Sequence, residues 1–269
     1  MSQITAASRP TRRKIGDTAF LCLELGAGLL ENGAETSRVE ESIALVGSSL
    51  GLATQSMVTP TGITVSAGAA EPITRIARIR ERKVDLGKVS RLNSLSRRLV
   101  AGELEIEAAR EQIESIRRAP AAFNPAQHRL STAVAAACFA LLAGGREAEA
   151  VFAFFAGGMV GLLIERLAPR FPPFLRLFFA ALLVTSACGV LVRLFGLAGS
   201  KVVIGALMPQ MPGLALVAAA RDLMAGELIA GVARGAEAVL VALAMASGVM
   251  VGLSLSHRWF PGVPGVIGL

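Results

Sequence analysis

Ala206-Leu-Met-Pro209-Gln210-Met-Pro212-Gly213 interrupts an apolar segment that runs from about 202 to 220. Each proline lacks an N–H and displaces a carbonyl one helical turn earlier, here those of Gly205 and Met208. Orphaned carbonyls in hydrocarbon cost several kcal/mol, so such a break persists only where protein, water or a ligand satisfies them. Interrupted spans near mid-membrane are where secondary transporters bind their solutes. Pro209, Gln210, Pro212 and Gly213 are therefore candidate substrate-binding residues. The competing reading is a kink that serves only helix packing.

The surroundings support a membrane setting. Of 269 residues 53% are apolar and 17% charged, with a mean hydropathy of +0.59. Residues 1–126 hold 17 Lys/Arg and 14 Asp/Glu, whereas the longer stretch 127–269 holds only 10 and 6. The late part contains five apolar segments near 130–143, 148–164, 177–192, 202–220 and 236–255. A span needs about 20 helical residues, so the first three are short and need flanking polar residues to reach outward. The expected class is an α+β cytoplasmic domain at 16–126 followed by an α-helical transmembrane bundle of five spans at 127–269. A disordered basic tail at 1–15 precedes both. That tail and the apolar run behind it superficially resemble a secretion signal, but Asp17 and Glu24 interrupt the run and no small-residue cleavage site follows.

Basic residues near the five expected spans set an orientation. With the N-terminus inside, the inner side carries eight of them and the outer side, with Arg146, Arg193, Lys201 and Arg258, four. The expected topology is N-inside, C-outside.

Directly after the interrupted segment come Arg221 and Asp222, then Glu227, Arg234 and Glu237. If the first two face a cavity, Arg221 can hold a substrate carboxylate and Asp222 can carry the coupling proton, because burial favours the neutral form of a carboxyl group. Glu227 and Arg234 read instead as part of a solvated loop, with Arg234 and Glu237 placed to pair along a helix.

The early part has its own periodicities. Asp17, Glu24, Glu31 and Arg38 recur every seven residues, with Phe20, Leu23, Ala27 and Leu30 between them, which predicts an amphipathic helix closed at Asn32-Gly33. A second helix follows over 38–50. Ile63, Val65 and Ala67 then alternate with Thr64 and Ser66, a strand signal, with 54–58 and 73–80 as neighbouring strands. Beyond Asp85 the helical period returns, split at Gly102.

Several classes are excluded. The +7 net charge is shared between both parts, there is no Tyr, and Trp259 is the only Trp, so nucleic acid is not an expected partner. Cys22, Cys138 and Cys188 are widely separated and odd in number, and His128 and His257 are isolated. Neither a disulfide framework nor a metal site follows, and no cofactor is expected.

Six separated stretches carry a family resemblance. Glu31-Asn32-Gly-Ala-Glu35-Thr-Ser-Arg38-Val-Glu40, Thr59-Pro-Thr-Gly-Ile63 and Asp85-Leu-Gly-Lys-Val-Ser-Arg-Leu-Asn93 look like the N-terminal region of threonine/serine exporter family proteins. Met208–Gly213, Arg221–Glu227 and Gly231–Ala238 look like its later signature. The resemblance covers roughly residues 15–256. It implies a proton-driven inner-membrane exporter of small carboxylate metabolites, either threonine and serine or a dicarboxylate such as succinate. It also implies the split form of the family, in which a second five-span membrane subunit is a separate chain, and hence a homo- or hetero-oligomer in the lipid bilayer.

Two other classes compete. Glu31, Glu35 and Glu40 with Asn32 and Arg38 gather around a helix break, and paired carboxylates can do acid–base chemistry. That would make the chain a membrane-anchored hydrolase, although capping, salt bridges or a dimer contact explain the same residues. A structural membrane scaffold is the third reading. An interrupted helix argues against a mere tether, which gains nothing from breaking its own backbone bonds.

Overall fold

The computed structural model describes residues 10–80 and 82–259, without the side chains of 191–193, 257 and 259. Most of the expected basic tail and the Arg193 side chain lie outside them. The chain forms two compact units, one of residues 1–122 with 217–234 and one of 123–216 with 235–269.

The first unit is built around α1 (Arg12–Glu31), whose N-terminus is capped by the Thr11 hydroxyl accepting the Lys14 N–H. Leu21, Leu25, Leu29 and Leu30 of this helix are fully buried. They pack against Val39, Ile43 and Val46 of α2 (Thr36–Ser49) and against one face of a three-stranded sheet. The strands β1 (Thr54–Thr59), β2 (Gly62–Ala67) and β3 (Ile73–Arg78) are antiparallel in the order β1-β2-β3. Val58 lies opposite Ile63, and Ile63 opposite Ala77. The alternation read from sequence has a direct cause: Ile63, Val65 and Ala67 point into the core while their neighbours do not.

Helices α3 (Leu86–Val100) and α4 (Ile106–Arg118) complete the core through Leu92, Leu95, Leu99 and Ile113. The seven-residue carboxylate repeat of α1 is matched rather than left to solvent. Arg110 lies 3.7 Å from Glu24, and Arg117 lies 2.9 Å from Glu31, so two arginines seven apart on α4 meet two glutamates seven apart on α1. Lys88 of α3 donates to the carbonyls of Arg117 and Ala119, tying off the exposed C-terminal end of α4.

The second unit holds α5 (Pro125–Leu142), α6 (Glu147–Leu167), α7 (Pro173–Phe195) and α8 (Gly199–Leu207). It also holds the start of α9 (Gly213–Met224) and most of α10 (Leu228–Trp259). Small residues let these helices approach. A Cβ on Gly157 would lie 2.4 Å from Ala136 Cβ, and one on Gly248 would lie 2.4 Å from the Phe178 carbonyl. This is how helices pack where lipid supplies no hydrophobic drive between them. Outward-facing Leu142, Val151, Phe155, Leu243 and Met250 are exposed, an apolar exterior that suits hydrocarbon rather than water. Glu149 is a buried charge inside. Its carboxylate is buried and accepts the backbone N–H groups of Arg146 at 2.8 Å and Ala198 at 3.1 Å, pinning the loop before α8 to the start of α6.

Among the described residues 72% are helical and there is a single small sheet, not the expected α+β domain joined to five spans. Among the described residues three helices are long and apolar enough to cross a membrane, in α6, α7 and α10, or four if the bent pair of α8 and α9 counts as one. The segment near 130–143 falls short because α5 opens with Gln127, His128 and Arg129, leaving too short an apolar run for about 30 Å of hydrocarbon.

Candidate functional site

The break at Pro209–Gly213 is present. Helix α8 ends at Leu207, a single 3-10 turn covers Met208–Gln210, Met211 is extended, and α9 starts at Gly213 with its axis bent by 48°. The Met208 carbonyl is not orphaned as expected, because it accepts the Met211 N–H at 3.1 Å. The tightened turn recovers what the second proline removes. Pro209, Gln210 and Pro212 are half-buried and Gly213 is exposed, all within the second unit.

Arg221 and Asp222 belong to the first unit, in the corner between α9 and α10. Gly226 turns that corner with φ of 87°, a conformation that an L side chain would strain. Gly231 lets α10 press on α9, since a Cβ there would lie 2.5 Å from Leu223 Cγ. The Glu227 N–H closes the turn on the Asp222 carbonyl at 2.8 Å.

Three side-chain contacts join this corner to the turn between α1 and α2, and a fourth lies within the corner. Thr36 Oγ1 donates to Asp222 Oδ1 at 3.0 Å. Arg234 Nε lies 3.1 Å from Asp222 Oδ2, a charge contact whose N–H is not aimed along the line as a hydrogen bond requires. The Arg234 Nη2 donates to the Ala34 carbonyl at 3.0 Å. Arg221 Nη1 donates to Glu35 Oε1 at 2.7 Å. Asp222 is fully buried and the Arg234 side chain is 10% exposed, while Arg221 remains 65% exposed. The buried pair is thus Asp222 with Arg234, and Arg221 is the outer member of the cluster.

The carboxylates of the N-terminal stretch serve separate ends. Glu31 forms a forked pair with Arg117, through Nε at 3.2 Å and Nη2 at 2.9 Å. Asn32 Nδ2 donates to the Gly28 carbonyl at 2.7 Å and closes α1. Glu35 precedes α2 and takes Arg221. Glu40 accepts the Val58 N–H at 2.8 Å, tying α2 to β1. Its pKa is raised by burial and, less strongly, by the charge of Glu227, against the lowering effect of the Val58 hydrogen bond. Arg38 is exposed on α2. Three carboxylates with three unrelated partners do not make an acid–base pair.

Sequence reading missed Thr36 and Arg234 as members of the cluster and Glu149 altogether. Arg234 was expected in a solvated loop, yet it is buried against Asp222. The available signal was its position twelve residues beyond Asp222, across a glycine turn that folds two helices back on each other. No group of three or more His, Cys, Asp or Glu suited to a metal occurs among the described residues.

The family model described as "Putative threonine/serine exporter" matches residues 20–256. The "Probable succinate transporter subunit YjjP" of Escherichia coli is 25% identical over 240 residues, covering 87% of this chain and 93% of the relative. Its namesake in Klebsiella aerogenes is 24% identical over a similar extent. A "Probable threonine/serine exporter" of Mycobacterium tuberculosis is 26% identical over 256 residues, and the match spans 46% of that protein's length. No solved structure matches. With a match running through nearly the whole chain, this protein belongs to the threonine/serine exporter family, a family of membrane transporters and not of enzymes.

Proposed function

We propose that the chain is one subunit of a proton-coupled exporter in the bacterial inner membrane. It works with a second membrane subunit of the same family and moves threonine and serine or a dicarboxylate such as succinate. The observation that carries this reading is the 48° interruption at Pro209–Gly213 in a chain that matches a named transporter subunit almost end to end. Interrupted spans of that kind are where secondary transporters bind small solutes. Pro209, Gln210, Pro212 and Gly213 line its path in the second unit in this reading, and Arg221 is the candidate carboxylate contact of the first. The first unit lies on the cytoplasmic side, from which an exporter loads.

Asp222 is the coupling residue of the proposal. Protonation would leave the buried Arg234 guanidinium without its counter-charge, a state costly enough to drive a rearrangement of the corner. The test is efflux of radiolabelled threonine, serine and succinate from cells expressing both subunits. Pro212→Ala and Asp222→Asn are each expected to cut efflux at least about tenfold with the chain still inserted. Unchanged efflux in both variants rejects the site.

A further inference from the structure

A cavity of about 170 Å³ opens in the first unit beside the α1–α2 turn. Leu86, Val89 and Asn93, on one face of α3, form one wall, and Leu29 with Gly33 and Ala34 forms another. Glu35 and Arg38 complete it. The walls are fixed by backbone: Gly33 turns the chain with φ of 94°, and the N–H groups of Lys83 and Asp85 bind the carbonyls of Glu31 and Asn32 at 2.8 and 3.1 Å. The approach to α3 is therefore held against the end of α1.

Three polar side chains face this largely apolar space with unused capacity. Glu35 gives Oε1 to Arg221 and keeps Oε2. Among the described residues, the Arg38 guanidinium and the Asn93 amide have no partner. One anion, one cation and one amide around a small volume match a zwitterion. A space well under the roughly 300–1,000 Å³ of drug-sized sites suits a metabolite of amino-acid size.

We propose that this cavity binds a small α-amino acid, its carboxylate on Arg38, its ammonium on Glu35 and a side-chain hydroxyl on Asn93. A forked guanidinium suits a carboxylate. A dicarboxylate is disfavoured, because its second carboxylate would meet Glu35, a like charge. Glu35 also holds Arg221, so the occupant's ammonium competes for the carboxylate that anchors the α9–α10 corner. Occupancy thereby loosens the corner. The inference deepens the exporter reading and rests on it for the choice of ligand.

The experiment is equilibrium binding of radiolabelled L-threonine and L-serine to the purified full-length chain in detergent, with succinate as competitor. Saturable binding that unlabelled serine displaces and succinate does not is expected. Arg38→Gln and Asn93→Ala should each weaken it at least about tenfold with an unchanged circular dichroism spectrum and elution volume. Should Arg38→Gln fail to fold, Asn93→Ala decides alone. No saturable binding, equal displacement by succinate, or binding unaltered in the folded variants overturns the proposal. Efflux that persists in Arg38→Gln with the second subunit present removes this cavity from the transport path while leaving the exporter reading intact.

Discussion

Thr36 Oγ1 and Asp222 Oδ1 are hydrogen-bonded at 3.0 Å although 186 positions separate them in the chain. The bond sits in a buried cluster whose other charge is Arg234, so the α1–α2 turn and the α9–α10 corner are one structural feature. Removing one side of such a pair costs more than removing both, because the survivor keeps its desolvation penalty without its attraction.

Asp222→Ala is accordingly expected to destabilise the first unit by about 3–5 kcal/mol. The double variant Asp222→Leu with Arg234→Met should recover most of that loss. Thr36→Val leaves Asp222 Oδ1 unmatched and should cost about 1–3 kcal/mol. Denaturant midpoints in detergent measure all three. A double variant no better than Asp222→Ala would show that the charges are not coupled.

Glu40 gives a pH dependence. Burial first, and the Glu227 charge to a lesser degree, raise its pKa above the ordinary 4.5 in the folded state. The folded protein therefore binds the proton more readily than the unfolded chain. Ionised Glu40 opposes folding above the raised pKa, and the penalty vanishes as pH falls toward 4.5 and below. Glu40→Gln keeps an acceptor for the Val58 N–H and loses the charge. It should be more stable than the parent at pH 7, with the difference shrinking on acidification, as unfolding midpoints at pH 7 and pH 5 will show.

The forked Glu31–Arg117 pair is part-exposed and therefore of modest worth. Arg117→Ala should cost about 1 kcal/mol, and a double-mutant cycle with Glu31→Ala should give a coupling of about 0.5–1 kcal/mol that declines in high salt.

Cys22 is buried in the first unit, with its thiol pushed up to about 12 by burial. At pH 8 it should resist N-ethylmaleimide in the folded protein and react on unfolding, which mass spectrometry of digested samples reads directly.

Gly205 allows no side chain: a Cβ there would lie 2.6 Å from the Ala136 carbonyl and 2.8 Å from Ala140 Cβ. Gly205→Val must push α8 away from α5 at a cost of about 1–3 kcal/mol or more, visible as a lower melting temperature in detergent.

Local signals were legible in the sequence. The helices around Leu25 and Leu99, the strand around Val65 and the interruption at Pro209 each follow from neighbours within a turn or two. Long-range pairing was not legible. Nothing near Arg234 says that the Ala34 carbonyl, 200 positions away, waits for it, since that contact depends on how distant segments meet. The count of spans failed for a related reason: the Ala-rich run of α5 reads as apolar, but its length is cut by Gln127, His128 and Arg129.

The first unit is completed by residues 217–234, which follow the first 122 only after some 95 intervening positions. A ribosome adding about 5–20 residues per second takes roughly 5–20 s to cross that gap. Throughout that interval Thr36 and the Ala34 carbonyl wait without their partners, and a truncated chain ending before Asp222 never acquires them. The buried cluster of the N-terminal portion is therefore completed only after the late helices have been synthesised.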